Sequence, residues 1–363
     1  MMSNEHAHRR APVPLKVWLG ISLCGIVLAV LPFLLGMAGQ GWVRTMNFAL
    51  VYVMLALGLN IVVGFAGLLD LGYIAFYAVG AYVWAMLASP HFGLHLPFWV
   101  VMPVGFVLAA IAGALLGAPT LKLRGDYLAI VTLGFGEIVR IFMNNLDAPV
   151  NITNGPQGIN RIDTFKVGDF MFGRTQELFG FRITGPEKYY YLLLFLTIVI
   201  VIICARLQHS RIGRAWEAVR EDEIAAKAMG INTRNIKLLA FAMGASFGGI
   251  AGCMFASMQG FVSPESFSLT ESIMVLCMVV LGGMGNIPGV ILGALLLSVF
   301  PELLRAIVVP RQQTLFGEVI LAPEGIRMLM FGFALVLVMI FRPEGLYPSA
   351  LRRRELHAKK EAA

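Results

Sequence analysis

Chemistry in this chain starts from ionisable side chains set in apolar sequence, because a charge facing hydrocarbon is costly and marks a pairing or a function. Glu137 and Arg140 stand three apart inside the apolar run from Tyr127 to Met143. At that spacing an acid and a base share one helix face and can pair. Two readings stay open: a pair near the outer helix end that fixes helix rotation, or, with Thr132 in the same run, a polar lining for a solute path. Asp70 opens another apolar run and suits helix capping better than catalysis. Glu302 and Arg305 repeat the three-residue spacing and read as structural.

Catalytic constellations are missing from the sequence. There is no G-x-x-x-x-G-K-[ST] loop, so the chain has no P-loop for ATP. Gly283, Gly285 and Gly289 miss the dinucleotide spacing by one place, and no strand precedes them. No serine lies in G-x-S-x-G and no H-E-x-x-H occurs. His91 and His95 are four apart, but Gly93 and Pro97 break a helix there, which argues against a metal pair. No cofactor is expected in this chain.

The most concentrated polar signal is Arg211–Asn232, RIGRAWEAVREDEIAAKAMGIN. Its charges are dense and of both signs, and Ile212, Trp216, Val219 and Ile224 can share one helical side. Glu223 precedes Lys227 by four residues, the favourable order for a helical pair. Gly230 followed by Asn232 reads as a helix stop. The expectation is one short amphipathic helix between two membrane spans: either a solvated connector or a docking element for a soluble partner.

The elements that must hold these residues are membrane helices. Hydrophobic residues make up 58% of the 363 and charged residues 13%, about half the charge of an ordinary soluble domain. The net charge of +7 gathers in tails and short loops, as the positive-inside rule requires, and is not a nucleic-acid footprint. The four cysteines all lie in apolar runs, without zinc-ligand spacing, and read as small buried hydrophobes.

In order, residues 1–16 read as a cytoplasmic tail and 17–348 as a transmembrane domain. Spans are expected at 17–35, 46–63, 68–87, 97–118, 127–143, 189–207, 237–258, 269–283, 287–309 and 325–341, near the ~20 residues that cross ~30 Å of hydrocarbon. The first is too long for a signal-peptide core and lacks a clean cleavage site. Residues 144–188 are expected as a periplasmic loop, 208–236 as a cytoplasmic coupling loop and 349–363 as a basic cytoplasmic tail. The fold class is all-α, a polytopic transmembrane bundle of about ten spans.

Small residues recur every fourth place at Gly244/Gly248/Gly252, Gly285/Gly289/Gly293 and Ala109/Gly113/Gly117, stripes that let helices approach closely. Glycine-rich segments near Gly64–Gly80 and Gly282–Gly293 echo each other across the two halves, as in pseudo-symmetric transporters.

Five stretches together resemble one family: GLLDLGYIAFYAVGAY at 67–82, LRGDYLAIVTLGFGEIVR at 123–140, TNGPQGI at 153–159, the polar stretch at 211–232, and LGGMGNIPGVILGA at 281–294. The chain resembles the M-type (LivM-like) permease subunits of bacterial ATP-binding-cassette importers for branched-chain amino acids, over nearly its whole length to RPEGLYP at 342–348. It departs at Leu69–Tyr73, where the family more often has a serine-leucine-glycine-histidine pattern.

The resemblance implies a type II importer-like permease in a bacterial inner membrane, with both termini cytoplasmic. It implies that the polar stretch is a coupling helix that docks on an ATPase, carried by Arg214, Glu217, Arg220, Glu221, Asp222, Ala226 and Gly230. It implies four partner chains besides membrane lipid: a homologous (LivH-like) permease, two (LivG/LivF-like) ATPases that bind ATP and Mg, and a periplasmic amino-acid-binding protein. Under that reading transport is by alternating access, and the loop of Asn154, Gly155 and Gln157 is a candidate outer mouth. The alternatives are a urea or short-amide permease of the same family, a self-sufficient secondary transporter, and, last, a membrane enzyme.

Overall fold

The computed structural model describes residues 15–120, 125–168, 170–178 and 181–316, with isolated positions between 329 and 347. Its α-helices are α1 (Leu15–Ala38), α2 (Gln40–Asn60), α3 (Ile74–Leu87), α4 (Phe98–Thr120), α5 (Asp126–Asn144), α6 (Gly185–Gln208), α7 (Arg211–Glu221), α8 (Glu223–Ala228), α9 (Thr233–Gln259), α10 (Leu269–Gly282) and α11 (Ile287–Phe316). Among the described residues seven helical segments are long and apolar enough to cross a membrane, and Gly25–Met37 and Ile74–Leu87 are shorter apolar helices. The expected span over 325–341 lies almost wholly outside the described residues.

α2 and α9 form the centre, with α3 and α4 against α9 and α6 and α11 against α2. Small residues bring these backbones together. A methyl on Gly252 of α9 would sit 2.7 Å from the backbone N of Ala81 on α3, and one on Gly113 of α4 would sit 2.5 Å from the Cβ of Ala245. The expected stripes on α4 and α9 are therefore helix-packing surfaces.

The turn-rich segment before α6 is not purely loop. Ile159–Asn160 (β1), Lys166–Val167 (β2), Phe170–Met171 (β3), Gln176–Leu178 (β4) and Phe181–Ile183 (β5) are short strands, and Phe261–Val262 (β6) follows α9. β2 pairs with β3, β4 with β5, and β1 with β6, all antiparallel. β6 places this segment at the C-terminal end of α9, while α7 and α8 lie at its N-terminal end. The 27 residues of α9 separate the two by roughly 40 Å.

Two helices begin near the middle of that length. The Tyr73 hydroxyl donates to the Gly244 carbonyl at 2.9 Å, about midway along α9, and α3 starts beside it and runs to the strand end. α10 starts at the same level and runs the other way. Each has 14 residues, about 21 Å; α3 is short of a full crossing, whereas α10 continues the turn Pro264–Phe267 in a 19-residue segment that is long enough to cross. The third span, expected from Leu68, is thus helical only from Ile74; residues 66–73 are irregular and largely buried. Irregular backbone at membrane depth survives only inside protein, with its polar groups satisfied. Here Leu71 N–H donates to Thr132 Oγ at 3.0 Å, and Gly72 N–H to Asp70 Oδ1 at 2.9 Å. Asp70 closes this turn and does not cap α3 itself, whose N-cap residue is Tyr73.

Candidate functional site

The polar stretch folds as two helices, which corrects the expected single one. Ser210 caps α7 by accepting from the Gly213 N–H. The helix stops at Asp222, whose backbone is extended (φ −151, ψ 112) and whose Oδ1 accepts from Ile224 N–H at 2.7 Å and Ala225 N–H at 3.1 Å. An aspartate that satisfies two orphan N–H groups starts a new helix. The break rotates Ile224 off the apolar side, leaving it 70% exposed.

The inner face of α7 is anchored firmly. Trp216 is fully buried, donates from Nε1 to the Ile236 carbonyl at 2.8 Å, and stacks on Phe65 with ring centres 6.5 Å apart. Val219 is buried beside it. Arg220 points inward too: its Nη1 donates to the Gly64 carbonyl at 2.6 Å. Gly64 lies in the π-helical turn Ile61–Phe65 that ends α2. Carbonyls at a helix end lack intrahelical donors, and a cation there also meets the negative end of the helix dipole. Gly285 N–H donates to Asn60 Oδ1 at 2.8 Å, and a methyl on Gly64 would lie 2.6 Å from Gly285 N, so the two glycine-rich segments that echo each other in sequence touch at this point.

The outer face of α7–α8 is open. Arg214, Glu217, Glu221, Asp222 and Gly230 are exposed, and so are Ile224 and Met229. Ala226 is buried, and Gly230 stops α8 with a positive φ of 82°. Glu223 holds the base of α8 through Lys237 at 2.7 Å and Lys227 at 3.3 Å. The expected Glu223–Lys227 pair is present, and Lys237 is the closer partner. These lysines keep the Glu223 carboxyl below its ordinary range, the Lys237 hydrogen bond contributing most.

The other expected residues lie deeper or toward the strand end. Arg140 binds Glu137 through Nε and Nη2, the closest contact 2.5 Å, and reaches Glu265 with Nη1 at 3.1 Å. Asn154 and Gly155 shape the turn after α5, with φ of 60° and 52°; Asn154 Nδ2 donates to the Gly158 carbonyl at 2.8 Å. The fold therefore does not gather all the expected residues. The α7–α8 set and the Glu137/Arg140/Asn154/Gly155 set occupy opposite ends, with Thr132 between them. His95 pairs with Asp163, and no metal-ligand cluster occurs among the described residues.

Sequence reading missed Glu265 and Asn60, gave the Gly64 carbonyl no role, and missed the Tyr52–Glu271 hydrogen bond of 2.8 Å. An asparagine inside the apolar run 46–63, and acids three residues before and after Ser268, were the signals available.

The family model for the branched-chain amino acid transport system permease component matches residues 41–339. The chain belongs to this permease family. It is 45% identical over 351 residues to the high-affinity branched-chain amino acid transport system permease protein LivM of Escherichia coli K12, covering 93% of this chain and 76% of that protein. The LivM protein of Salmonella typhimurium is 44% identical over 93% of this chain and 77% of that one. The permease protein LivH of the same organism is 27% identical over 70% of this chain and 82% of its own length. No solved structure matches. The family match covers both ends of the bundle, so the α7–α8 platform and the α5 flank belong to a transport permease, and the chain has the membrane-spanning helices that such a subunit needs.

Proposed function

We propose that this chain is the membrane subunit of an ATP-binding-cassette importer. It pairs with a homologous permease to form the path for leucine, isoleucine and valine, delivered by a periplasmic binding protein. The names of its relatives support the solute class, and the resemblance to both LivM and LivH supports a pair of related permeases. ATP and Mg are bound by the partner ATPases, and the chain sits in a bacterial inner membrane with α7–α8 and both termini on the cytoplasmic side.

The observation that carries the reading is the α7–α8 platform. It is rigidly seated by Trp216 and Arg220 on its inner side and presents Arg214, Glu217, Glu221, Ile224 and Met229 outward. A charged rim around apolar residues suits a groove on a soluble partner, the charges setting register and the apolar groups supplying burial. The solute path follows the α5 flank. Glu137, Arg140 and Glu265 are partly exposed, with side-chain exposures of 39%, 24% and 66%, and charges this open are unfavourable against lipid. Asn154 and Gly155 stand at its outer mouth.

The test is uptake of labelled leucine into vesicles that hold the complex recovered with this chain in mild detergent. Uptake that needs internal ATP and loaded binding protein supports the reading. Full-rate uptake by the chain alone under an ion gradient overturns it.

A further inference from the structure

We propose that Arg220 is a positioning residue that transmits movement of α7 to the bundle, and not a contact to the ATPase. The inference rests on the importer reading and assigns a distinct job within the same platform. Three observations converge on it. The guanidinium leaves the exposed face and binds the Gly64 carbonyl, the end of α2, at 2.6 Å. Its stem crosses Gly67 so closely that a methyl there would sit 2.7 Å from Arg220 Cγ. Its Nη1 also faces the turn that ends α10: a methyl on Gly285 would lie 3.4 Å from Nη1 and 3.3 Å from the Gly64 oxygen.

One side chain therefore touches the ends of both glycine breaks, and Asn60 joins those breaks directly through Gly285 N–H. Among the described candidate spans the one that contains α2 is the most deeply buried, and α10 begins mid-bundle beside α3. A displacement of α7 delivered at this junction reaches the helix that packs the core and the half-helix that ends in its middle. Trp216 fixes α7 to the start of α9 in the same way, so α7 moves with three core elements as one body. A rigid link between two packed elements carries a coupling free energy between the sites they serve.

The experiment compares Arg220→Ala, Arg220→Lys and Glu221→Arg in the whole importer, reconstituted with its ATPases, partner permease and binding protein. Three quantities are read: ATPase recovered per permease, ATP hydrolysis stimulated by loaded binding protein, and leucine moved per ATP. Arg220→Ala is expected to keep ATPase recovery and to lower leucine moved per ATP about tenfold. Arg220→Lys keeps the stem and charge without the planar fork and is expected to fall between. Glu221→Arg is expected to lower ATPase recovery instead. Unchanged leucine per ATP in Arg220→Ala overturns the inference, as does a loss of ATPase recovery matching that of Glu221→Arg. Should the alanine variant fail to insert, the lysine variant decides, and an unchanged ratio there overturns the inference. Wild-type complex without ATP-driven uptake would sink the importer reading as well, whereas normal coupling in the variants sinks the inference alone.

Discussion

The backbone N–H of Ile74 donates to the hydroxyl of Ser272 at 3.2 Å, and this bond joins the first turns of two 14-residue helices that run to opposite ends of the bundle. Both residues are buried, so no water replaces the bond easily. Helix N-termini carry orphan N–H groups and partial positive charge. Placing the start of α3 at mid-depth demands side-chain acceptors, and Ser272 supplies one for Ile74 while Thr132 and Asp70 serve Leu71 and Gly72 in the turn before it.

Ser272→Ala should therefore destabilise the solubilised permease by about 1–3 kcal/mol, the cost of an unpartnered buried donor. Ser298→Ala, which removes only a bond to the Ala294 carbonyl one turn back on α11, should cost much less. Thermal unfolding in detergent of the two variants side by side checks this; equal midpoints would refute it.

Trp216 tests the seating of α7. Trp216→Ala removes a fully buried ring and should cost about 3–5 kcal/mol, freeing the platform and lowering ATPase recovery. Trp216→Phe keeps an aromatic partner for Phe65 and removes one hydrogen bond to the Ile236 carbonyl, which α9 still satisfies from within, so about 1 kcal/mol is expected. Recovery should follow the order wild type, phenylalanine, alanine in a pull-down.

Charge reversal on the outer rim should separate docking from folding. Glu217→Arg with Glu221→Arg changes two exposed side chains and should leave insertion and thermal stability within about 0.5 kcal/mol of wild type. Recovery of ATPase should fall, most steeply at low salt, where exposed charges are least screened. Asp222→Ala behaves differently because Asp222 caps α8; it should cost about 1 kcal/mol and melt the second half of the platform. Reversal at Asp222 would therefore confound docking with local unfolding.

Much of this was legible in the sequence. The apolar runs, the small-residue stripes and the polar stretch all announce themselves by period and composition, because lipid and close packing constrain every residue of a span. The break at Asp222 was less legible: a helical periodicity through Ile224 fits the sequence, and only the local competition between continuing α7 and capping α8 decides against it. The span expected at 269–283 nearly coincides with α10, but the late start of α3 was hidden for a related reason. Residues 66–73 are apolar enough to read as span, and the acceptors that hold this turn and the start of α3, Thr132 and Ser272, are distant in sequence. The inward turn of Arg220 was invisible, since an arginine in a charge-rich stretch gives no sign that a helix-end carbonyl waits for it across the fold.

Glu223 gives the platform a pH dependence whose sign follows from its partners. Lys237 and Lys227 favour the carboxylate, so its pKa in the folded chain lies below the value of 4.5 ordinary for glutamate. The folded state then binds fewer protons than the unfolded one, and stability rises with pH over that window. The contribution is fully present above the unfolded-state value and is lost as pH falls through the folded-state value. Thermal midpoints in detergent taken from pH 7 down to pH 4 should fall for wild type by more than for Glu223→Gln. Parallel curves would show that the lysine pair contributes nothing.

The α5 flank yields a test of where the solute path runs. Glu137, Arg140 and Glu265 form one chain of ion pairs with a carboxylate in excess. Facing lipid, such a group would be drawn inward or neutralised; facing water or a partner's polar wall, it can stay charged. Glu137→Cys and Glu265→Cys should therefore react with a membrane-impermeant thiol reagent added outside, above the wild-type background, and leucine with loaded binding protein should slow the reaction. Leu115→Cys, on the exposed apolar side of α4 at 69% exposure, should stay unreactive in the bilayer although it is the more open position in the isolated chain. Removing Arg140 leaves two neighbouring carboxylates unpaired, so Arg140→Ala should impair uptake more than Glu137→Gln, which leaves Arg140 paired with Glu265. Labelling of Leu115→Cys at the rate of the other two would place the α5 flank and the α4 face in the same environment and remove the argument for a path along α5.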